Sequence, residues 1–142
     1  MRIIKYSAIF SILIMLSAMT CARADGLNSF AWEYRILLID ASDSKSNTAL
    51  VSSLRVHKKG IEDRKLKVIL YTSSAASDAI SGALIELDLV ELKRRLENKQ
   101  SILIGLDGGT KSFYDIDASG IDIKQVFADI DGMPMRRAEL KR

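Results

Sequence analysis

The chain has 142 residues, which fits one domain, and carries 21 Lys and Arg against 18 Asp and Glu. Its formal charge of +3 comes entirely from Arg2, Lys5 and Arg23, so residues 25–142 are formally neutral. Neutrality removes the main electrostatic argument for a nucleic-acid-binding protein. The single cysteine, Cys21, also precedes residue 25, so the remainder can form no disulfide and depends on a hydrophobic core.

The first 24 residues have the layout of a secretory signal peptide. Two basic residues precede an apolar run of about a dozen residues, and "ARA" at 22–24 is a small-x-small cleavage signal. The alternative is a membrane anchor, but a membrane-spanning helix needs about 20 apolar residues. We therefore expect cleavage between Ala24 and Asp25, and export to the periplasm or beyond. The mature protein would be a single domain over residues 25–142 without a membrane span.

Cys21 raises a second alternative, in which it becomes the lipid-bearing first residue of a lipoprotein. Lipoprotein signals usually place a small residue directly before the cysteine and a leucine-like residue three positions before it. Thr20 and Ala18 occupy these positions, so the match is poor. Cleavage after Ala24 would remove the cysteine altogether.

The first half of the expected domain predicts a strand, a helix and a second strand. "RILLID" at 35–40 and "LKVILYT" at 66–72 are β-prone apolar runs of the length of buried strands. Between them, apolar residues at helical spacing predict a helix over 45–59 that ends at Gly60. Residues 73–82 are small and polar, and we expect a loop there.

The second half predicts a helix, a hairpin and a final helix. Asp88 is a capping residue ahead of leucines at 89, 92 and 96, which share one helical face. "SILIGLDGGTKSFYDI" contains two β-prone runs around Asp-Gly-Gly at 107–109, the chemistry of a tight hairpin. A last amphipathic helix is expected from residue 123, and Gly132 stands where it should end.

The resulting order is β-α-β-α-β-β-α. A right-handed crossover makes the first two strands parallel, and the hairpin adds two antiparallel strands to the same sheet. The sequence therefore predicts an α/β fold, with a four-stranded mixed sheet and helices on both faces, which is the thioredoxin-like architecture. A ferredoxin-like layout fits less well, because it needs a strand after the second helix and another helix before the last strand.

Three segments resemble one known family. "FAWEYRILLID" at 30–40, "LIGLDGGTK" at 103–111 and "IDGMPMRRAEL" at 130–140 are similar to domain of unknown function 4174. The resemblance implies a thioredoxin-like fold related to peroxiredoxins, in small exported bacterial proteins with related modules in secreted animal matrix proteins. Members commonly carry a lysine before the hairpin aspartate, where this chain has Leu106. The family's function is unknown, so the resemblance implies no reaction.

Redox chemistry in a thioredoxin-like protein needs a cysteine at the N-terminus of the first helix, where the helix end lowers the thiol pKa. Residues 41–46, "ASDSKS", offer capping side chains and no thiol. Gln100 and Ser101 stand where such folds place a cis-proline. Thiol redox and peroxidase activities are therefore excluded unless Cys21 is retained.

Other familiar sites are incomplete. His57 is the only histidine and has no nucleophile-elbow motif beside it, so we interpret it as a structural or surface residue. "DIDASG" at 115–120 imitates half of a calcium loop, but Val126 stands where a glutamate is needed. We interpret the basic stretch 55–67 as a solvated helix end and loop. We expect no metal site and no cofactor.

Aromatic residues lead into the first predicted strand. Trp32 and Tyr34 stand directly before Arg35, at the edge of the expected core. We interpret them as covers of that core, because aromatic side chains are usually buried in a small domain. The alternative is that they form part of a ligand surface.

The end of the chain carries the strongest candidate for a site. Its only proline starts a short terminal helix that holds Arg136 and Arg137. In the structural interpretation, one arginine pairs with Asp131 or Asp107 and the other is solvated. In the functional one, both arginines meet Asp107, Lys111 and Asp131 at one edge of the domain. There they would bind a small anionic ligand or a carboxylate of a periplasmic or cell-envelope partner.

These observations predict an exported, non-redox binding or interaction module. The alternative is an enzyme of unidentified type that uses the same Asp, Lys and Arg cluster on an anionic substrate. The sequence leaves the ligand, the partner and the oligomeric state open.

Overall fold

A computed structural model describes residues 25–43 and 47–142. The expected signal peptide, its cleavage after Ala24 and Cys21 lie outside the described residues. So do residues 44–46, the expected beginning of the first helix and half of the segment in which a redox cysteine was sought. Within the described ranges, no helix has both the length and the apolar character needed to cross a membrane.

The described chain contains six strands and five α-helices. The strands are β1 (Arg35–Asp40), β2 (Leu66–Tyr71), β3 (Ala76–Asp78), β4 (Leu84–Ile85), β5 (Ser101–Ile104) and β6 (Thr110–Tyr114). The helices are α1 (Asn47–Val56), α2 (Lys58–Asp63), α3 (Leu89–Leu96), α4 (Ile123–Gly132) and α5 (Pro134–Glu139). A short 3-10 helix, Leu27–Phe30, precedes β1.

The strands form one mixed sheet in the order β4-β3-β2-β1-β5-β6. β1 and β2 are parallel, and β5 and β6 are antiparallel to their neighbours. The expected parallel pair and hairpin are therefore confirmed. The expected total of four strands is wrong, because β3 and β4 extend the sheet beyond β2. These two short strands have three and two residues, too few to produce a hydrophobic period.

The predicted helix over 45–59 is also corrected. The structure has two helices that meet at His57, and Gly60 lies inside α2 instead of ending a helix. A Cβ atom at Gly60 would stand 2.7 Å from the Phe127 ring, so glycine is needed there for close packing against α4.

Both faces of the sheet are covered by helices. Leu37 and Ile39 of β1 pack in one buried cluster with apolar residues of α1, α2 and α4. Ile36 and Leu38 point to the opposite face, where they pack with Leu92 and other residues of α3. The alternation follows the period of two in a strand, and it makes β1 the centre of the core.

Local sequence signals correctly predicted the start of α3 and the end of α4. Asp88 accepts hydrogen bonds from the Val90 and Glu91 backbone N–H groups, which caps α3 as predicted. Asp122 caps α4 in the same way, and α4 ends at Gly132 as expected.

The aromatic residues before β1 differ from the prediction. Trp32 is 69% exposed, so it does not cover the core. Its φ is 68°, a left-handed conformation unusual for a bulky residue, and its N–H donates to the Leu106 carbonyl at 2.7 Å. A backbone bond therefore fixes this segment. Tyr34 is half-buried and meets Phe30 edge to face.

Candidate functional site

The candidate site lies at the end of the sheet where β1 begins and β5 ends. Ile36 is opposite Ile104 in the antiparallel pair, so Arg35 lies beside the residues that follow β5. The junction of α4 and α5 reaches the same place. Together these segments line a cleft of about 250 Å³; its lining residues are Arg35, Gly105, Leu106, Asp107, Lys111, Met133, Pro134 and Met135.

The β5–β6 turn places a charge pair at this cleft. Lys111 Nζ lies 2.7 Å from Asp107 Oδ2, and Asp107 Oδ1 accepts the Gly109 N–H at 3.1 Å. Hydrogen bonding from Lys111, supported by Gly109, lowers the pKa of Asp107. Gly108 has a φ of 77°, which the turn requires. A Cβ atom at Gly105 would lie 2.5 Å from Lys111 Cε, so glycine makes room for the lysine side chain.

Arg136 fastens the terminal helix α5 to the end of α2. The residue is only 6% exposed. Its guanidinium donates to the Asp63 carboxylate, to the Asp63 carbonyl at 3.0 Å and to Asp131 Oδ1 at 3.4 Å. Glu139 Oε2 accepts from the same group at 3.4 Å. The expected pairing of one arginine with Asp131 is therefore observed.

Asp131 has a second and stronger arginine partner, Arg64. Arg64 Nη2 and Nε donate to its two carboxylate oxygens at 2.6 and 3.0 Å, and the guanidinium lies 4.3 Å from the Phe127 ring centroid. Arg64 was interpreted as part of a solvated basic stretch, and for this residue the interpretation is wrong. In the sequence, nothing except their opposite charges at a helix end indicated that Asp63 and Arg64 form these ion pairs.

Arg35 is the main residue that the sequence-based prediction missed. It is 1% exposed at the start of β1. Its two Nη atoms donate to Glu139 at 3.2 and 3.4 Å, and Nη1 also donates to the Arg64 carbonyl at 2.9 Å. Its Nε is buried and has no hydrogen-bond partner among the described residues. The sequence signal that could have identified Arg35 is an arginine at the start of a strand that is otherwise apolar up to Asp40.

The five predicted site residues divide into two groups and one exposed residue. Asp107 and Lys111 pair with each other at the cleft. Asp131 and Arg136 belong to the ion-pair network, in which three arginines (Arg35, Arg64, Arg136) meet three carboxylates (Asp63, Asp131, Glu139). Arg137 is exposed, and its side chain has no ion-pair partner in residues 25–43 and 47–142. The expected pairing of an arginine with Asp107 is not seen, because Lys111 occupies that carboxylate.

The network holds the carboxylates of Asp131 and Glu139 in the charged form. Hydrogen bonds from Arg64, with the charges of Arg64 and Arg136, lower the pKa of Asp131 although burial opposes the shift. Burial raises the pKa of Glu139, but Arg35 and Arg136 together lower it below its usual range. A depressed folded-state pKa adds stability above the unfolded pKa, and this stability is lost as pH falls through the folded pKa.

Acid should therefore destabilise the protein through Asp131 and Glu139. We expect the free energy of unfolding to fall as pH drops below about 4, the usual range of free carboxyl groups. Urea unfolding at a series of pH values would measure the fall. The double variant Asp131→Asn, Glu139→Gln should be less stable at pH 7 and lose less on acidification. An unchanged pH dependence in that variant would contradict the assignment.

The other residues singled out in the sequence have structural contacts. His57 Nδ1 lies 2.9 Å from the Ser53 carbonyl, and its ring meets Phe127 edge to face. Asp117 Oδ1 accepts from the Ser119 N–H and hydroxyl at 2.8 and 2.6 Å, which closes its own turn. In the described part of the chain, no group of three or more His, Cys, Asp or Glu side chains is arranged to hold a metal ion.

The comparison with known families confirms the resemblance that the hairpin and the closing motif indicated. A family model described as Domain of unknown function (DUF4174) matches residues 26–139. No curated protein and no solved structure matches the chain. The family match includes β1, the β5–β6 turn, the residues that line the cleft and all of α5, so it covers every element that builds the candidate site. The chain belongs to the family described as Domain of unknown function (DUF4174).

Proposed function

We propose that the protein is an exported, non-redox binding module of thioredoxin-like architecture, whose ligand binds in the cleft beside the β5–β6 turn. The contiguous order β2-β1-β5-β6, with a parallel pair and an antiparallel hairpin, supports the architecture. The layout of residues 1–24 supports export. So does the family match, which begins at residue 26, directly after the expected cleavage site.

The cleft is the observation that carries this proposal. Its walls are largely apolar, from Leu106 and the segment 133–135, and Arg35 and Lys111 add a few polar groups. Small-molecule sites usually combine an apolar concave surface with a small number of convergent polar groups. A cavity of roughly 150 Å³ holds benzene. The larger volume of about 250 Å³ therefore leaves room for a somewhat larger ligand.

The cleft does not occupy the position of a thioredoxin-like redox site. A redox cysteine in that architecture follows the first strand, next to Asp40 and Ala41 here. The cleft lies at the opposite end of β1, beside Arg35. Binding in this cleft therefore does not depend on the missing thiol.

The enzyme alternative gains no specific support. Asp107, Lys111, Asp131 and Arg136 each have a charged partner within the protein. A general acid or base works best when its pKa lies near the operating pH, and the ion pairs lower the pKa of Asp107 and Asp131 further below that range. We therefore retain binding as the function that the geometry supports.

A blocked cleft tests the proposal. Met135 lines the cleft and is 42% exposed, so Met135→Trp should fill the rim without disturbing the core. In ¹H–¹⁵N NMR spectra of the purified protein, hits from a fragment library should shift the Gly105, Leu106 and Met133 amides. Met135→Trp should weaken these hits at least about tenfold, which corresponds to 1.4 kcal/mol.

Leu140→Trp is the matched control, because Leu140 is exposed directly after α5 and does not line the cleft. It should leave the fragment hits unchanged. Hits that are absent from the cleft, or equally strong in Met135→Trp, would overturn the proposed function.

A further inference from the structure

The charge balance of the cleft points to the kind of ligand that it accepts. We propose that this ligand is an uncharged molecule with an apolar body and one hydrogen-bond acceptor, such as a carbonyl oxygen, which binds the Arg35 Nε–H group. The inference rests on the proposed function. It differs from the small anionic ligand that the sequence led us to expect.

Arg35 supplies an unused donor at the cleft. Both Nη atoms already donate, to Glu139 and to the Arg64 carbonyl, whereas Nε has no partner in the described part of the chain. A buried donor without a partner costs about 1–3 kcal/mol. A ligand acceptor that reached Nε would recover that free energy, so the cleft favours ligands that carry one.

The cationic charges at the cleft are already neutralised. Glu139 compensates Arg35 at 3.2 Å, and Asp107 compensates Lys111 at 2.7 Å. A ligand carboxylate would add a further negative charge to a largely apolar cleft, in which the two described cations, Arg35 and Lys111, already have carboxylate partners. Burying an uncompensated charge costs several kcal/mol, more than the donor at Nε returns. A neutral acceptor satisfies Nε without that penalty.

The acceptor needs a lining side chain to move before it reaches Nε, because this atom is shielded from solvent. Met133 and Met135 line the same cleft. Methionine is unbranched and has three rotatable side-chain bonds, so it can rearrange without a shift of the backbone. Binding of an acceptor should therefore change the methyl signals of these methionines as well as the Nε–H signal.

Three probes of similar size separate the contribution of the hydrogen-bond acceptor from the contribution of the negative charge. Acetophenone has a phenyl ring and a neutral carbonyl, ethylbenzene lacks the acceptor, and benzoate carries a full negative charge at pH 7. Titrations of the purified protein would follow the cleft amides and the arginine Nε–H signals by ¹H–¹⁵N NMR. We expect acetophenone to bind at least about tenfold more tightly than either other probe, as one satisfied buried donor predicts. Only the Arg35 Nε–H signal should move downfield.

Arg35→Lys assigns this signal and supplies the matched variant, because lysine keeps the charge and has no Nε. In it, the preference for acetophenone over ethylbenzene should disappear. If no probe shifts the cleft amides, the inference fails, and the proposed function fails with it only if the fragment library also gives no hits in the cleft. If probes bind in the cleft but benzoate equals acetophenone, or acetophenone leaves the Arg35 Nε–H signal in place, the inference alone is overturned.

Discussion

Replacing Arg136 with alanine should lower the free energy of unfolding by about 3 kcal/mol. Loss of one partner from a buried ion pair typically costs about 3–5 kcal/mol, because the remaining charge is left uncompensated. The lower end applies here, since the Asp63 carboxylate is 62% exposed and water can solvate it after the arginine is removed. Asp131 keeps Arg64, and Glu139 keeps Arg35.

Thermal unfolding measures this effect. For a domain of this size, 1 kcal/mol corresponds to roughly 4 °C, so Arg136→Ala should lower Tm by about 12 °C. Arg137→Ala is the matched control. Arg137 is the next residue of the same helix and is exposed, so its replacement should shift Tm by less than about 2 °C. Equal shifts in the two variants would show that α5 is not held by the Arg136 contacts.

Proximity along the chain explains which features the sequence predicted. The Asp-Gly-Gly hairpin, the Asp88 cap and the end of α4 at Gly132 each depend on residues within a few positions of one another. Hydrogen bonding to nearby backbone N–H groups and the φ freedom of glycine determine such features locally. These signals remain visible without knowledge of the fold.

The partners of the arginines were not predictable in the same way. Arg35 and Glu139 are 104 residues apart in sequence, and Arg64 and Asp131 are 67 apart. Opposite charges occur throughout this chain, so sequence alone does not select these pairs. The short strands β3 and β4 were not predicted for a related reason. Their backbone pairs with a neighbour through hydrogen bonds, and their few side chains show no period.

The sequence predicted part of the candidate site, namely the hairpin charge pair and the closing motif. Asp107 and Lys111 lie at the cleft, and the closing motif contributes Met133, Pro134 and Met135 to its wall. Arg136 is adjacent in sequence to this wall, but its guanidinium is committed to the ion-pair network. The motif therefore has two parts. The methionines and the proline shape the cleft, and the arginine holds them in place.

Arg35→Ala and Arg35→Met should separate the two roles of the buried arginine at this cleft. Alanine leaves a cavity at the head of β1 and removes the contacts to Glu139, so we expect a loss of about 3–5 kcal/mol in the free energy of unfolding. Methionine keeps most of the volume and removes the unpartnered Nε–H group. Glu139 retains Arg136 as a partner in both variants, so the cavity decides the difference between them. Arg35→Met should therefore be more stable than Arg35→Ala by about 2 kcal/mol or more.

Urea unfolding of both variants measures the difference, and acetophenone titration of Arg35→Met adds the second readout. If alanine and methionine are equally destabilising, Arg35 acts through its charge and not through the volume that it fills. If Arg35→Met is as stable as the wild type and binds acetophenone no better than ethylbenzene, stability does not require the arginine. Its buried, unpartnered donor then lowers the stability of the free protein and is explained by ligand binding. Active and binding sites often sacrifice stability for function in this way.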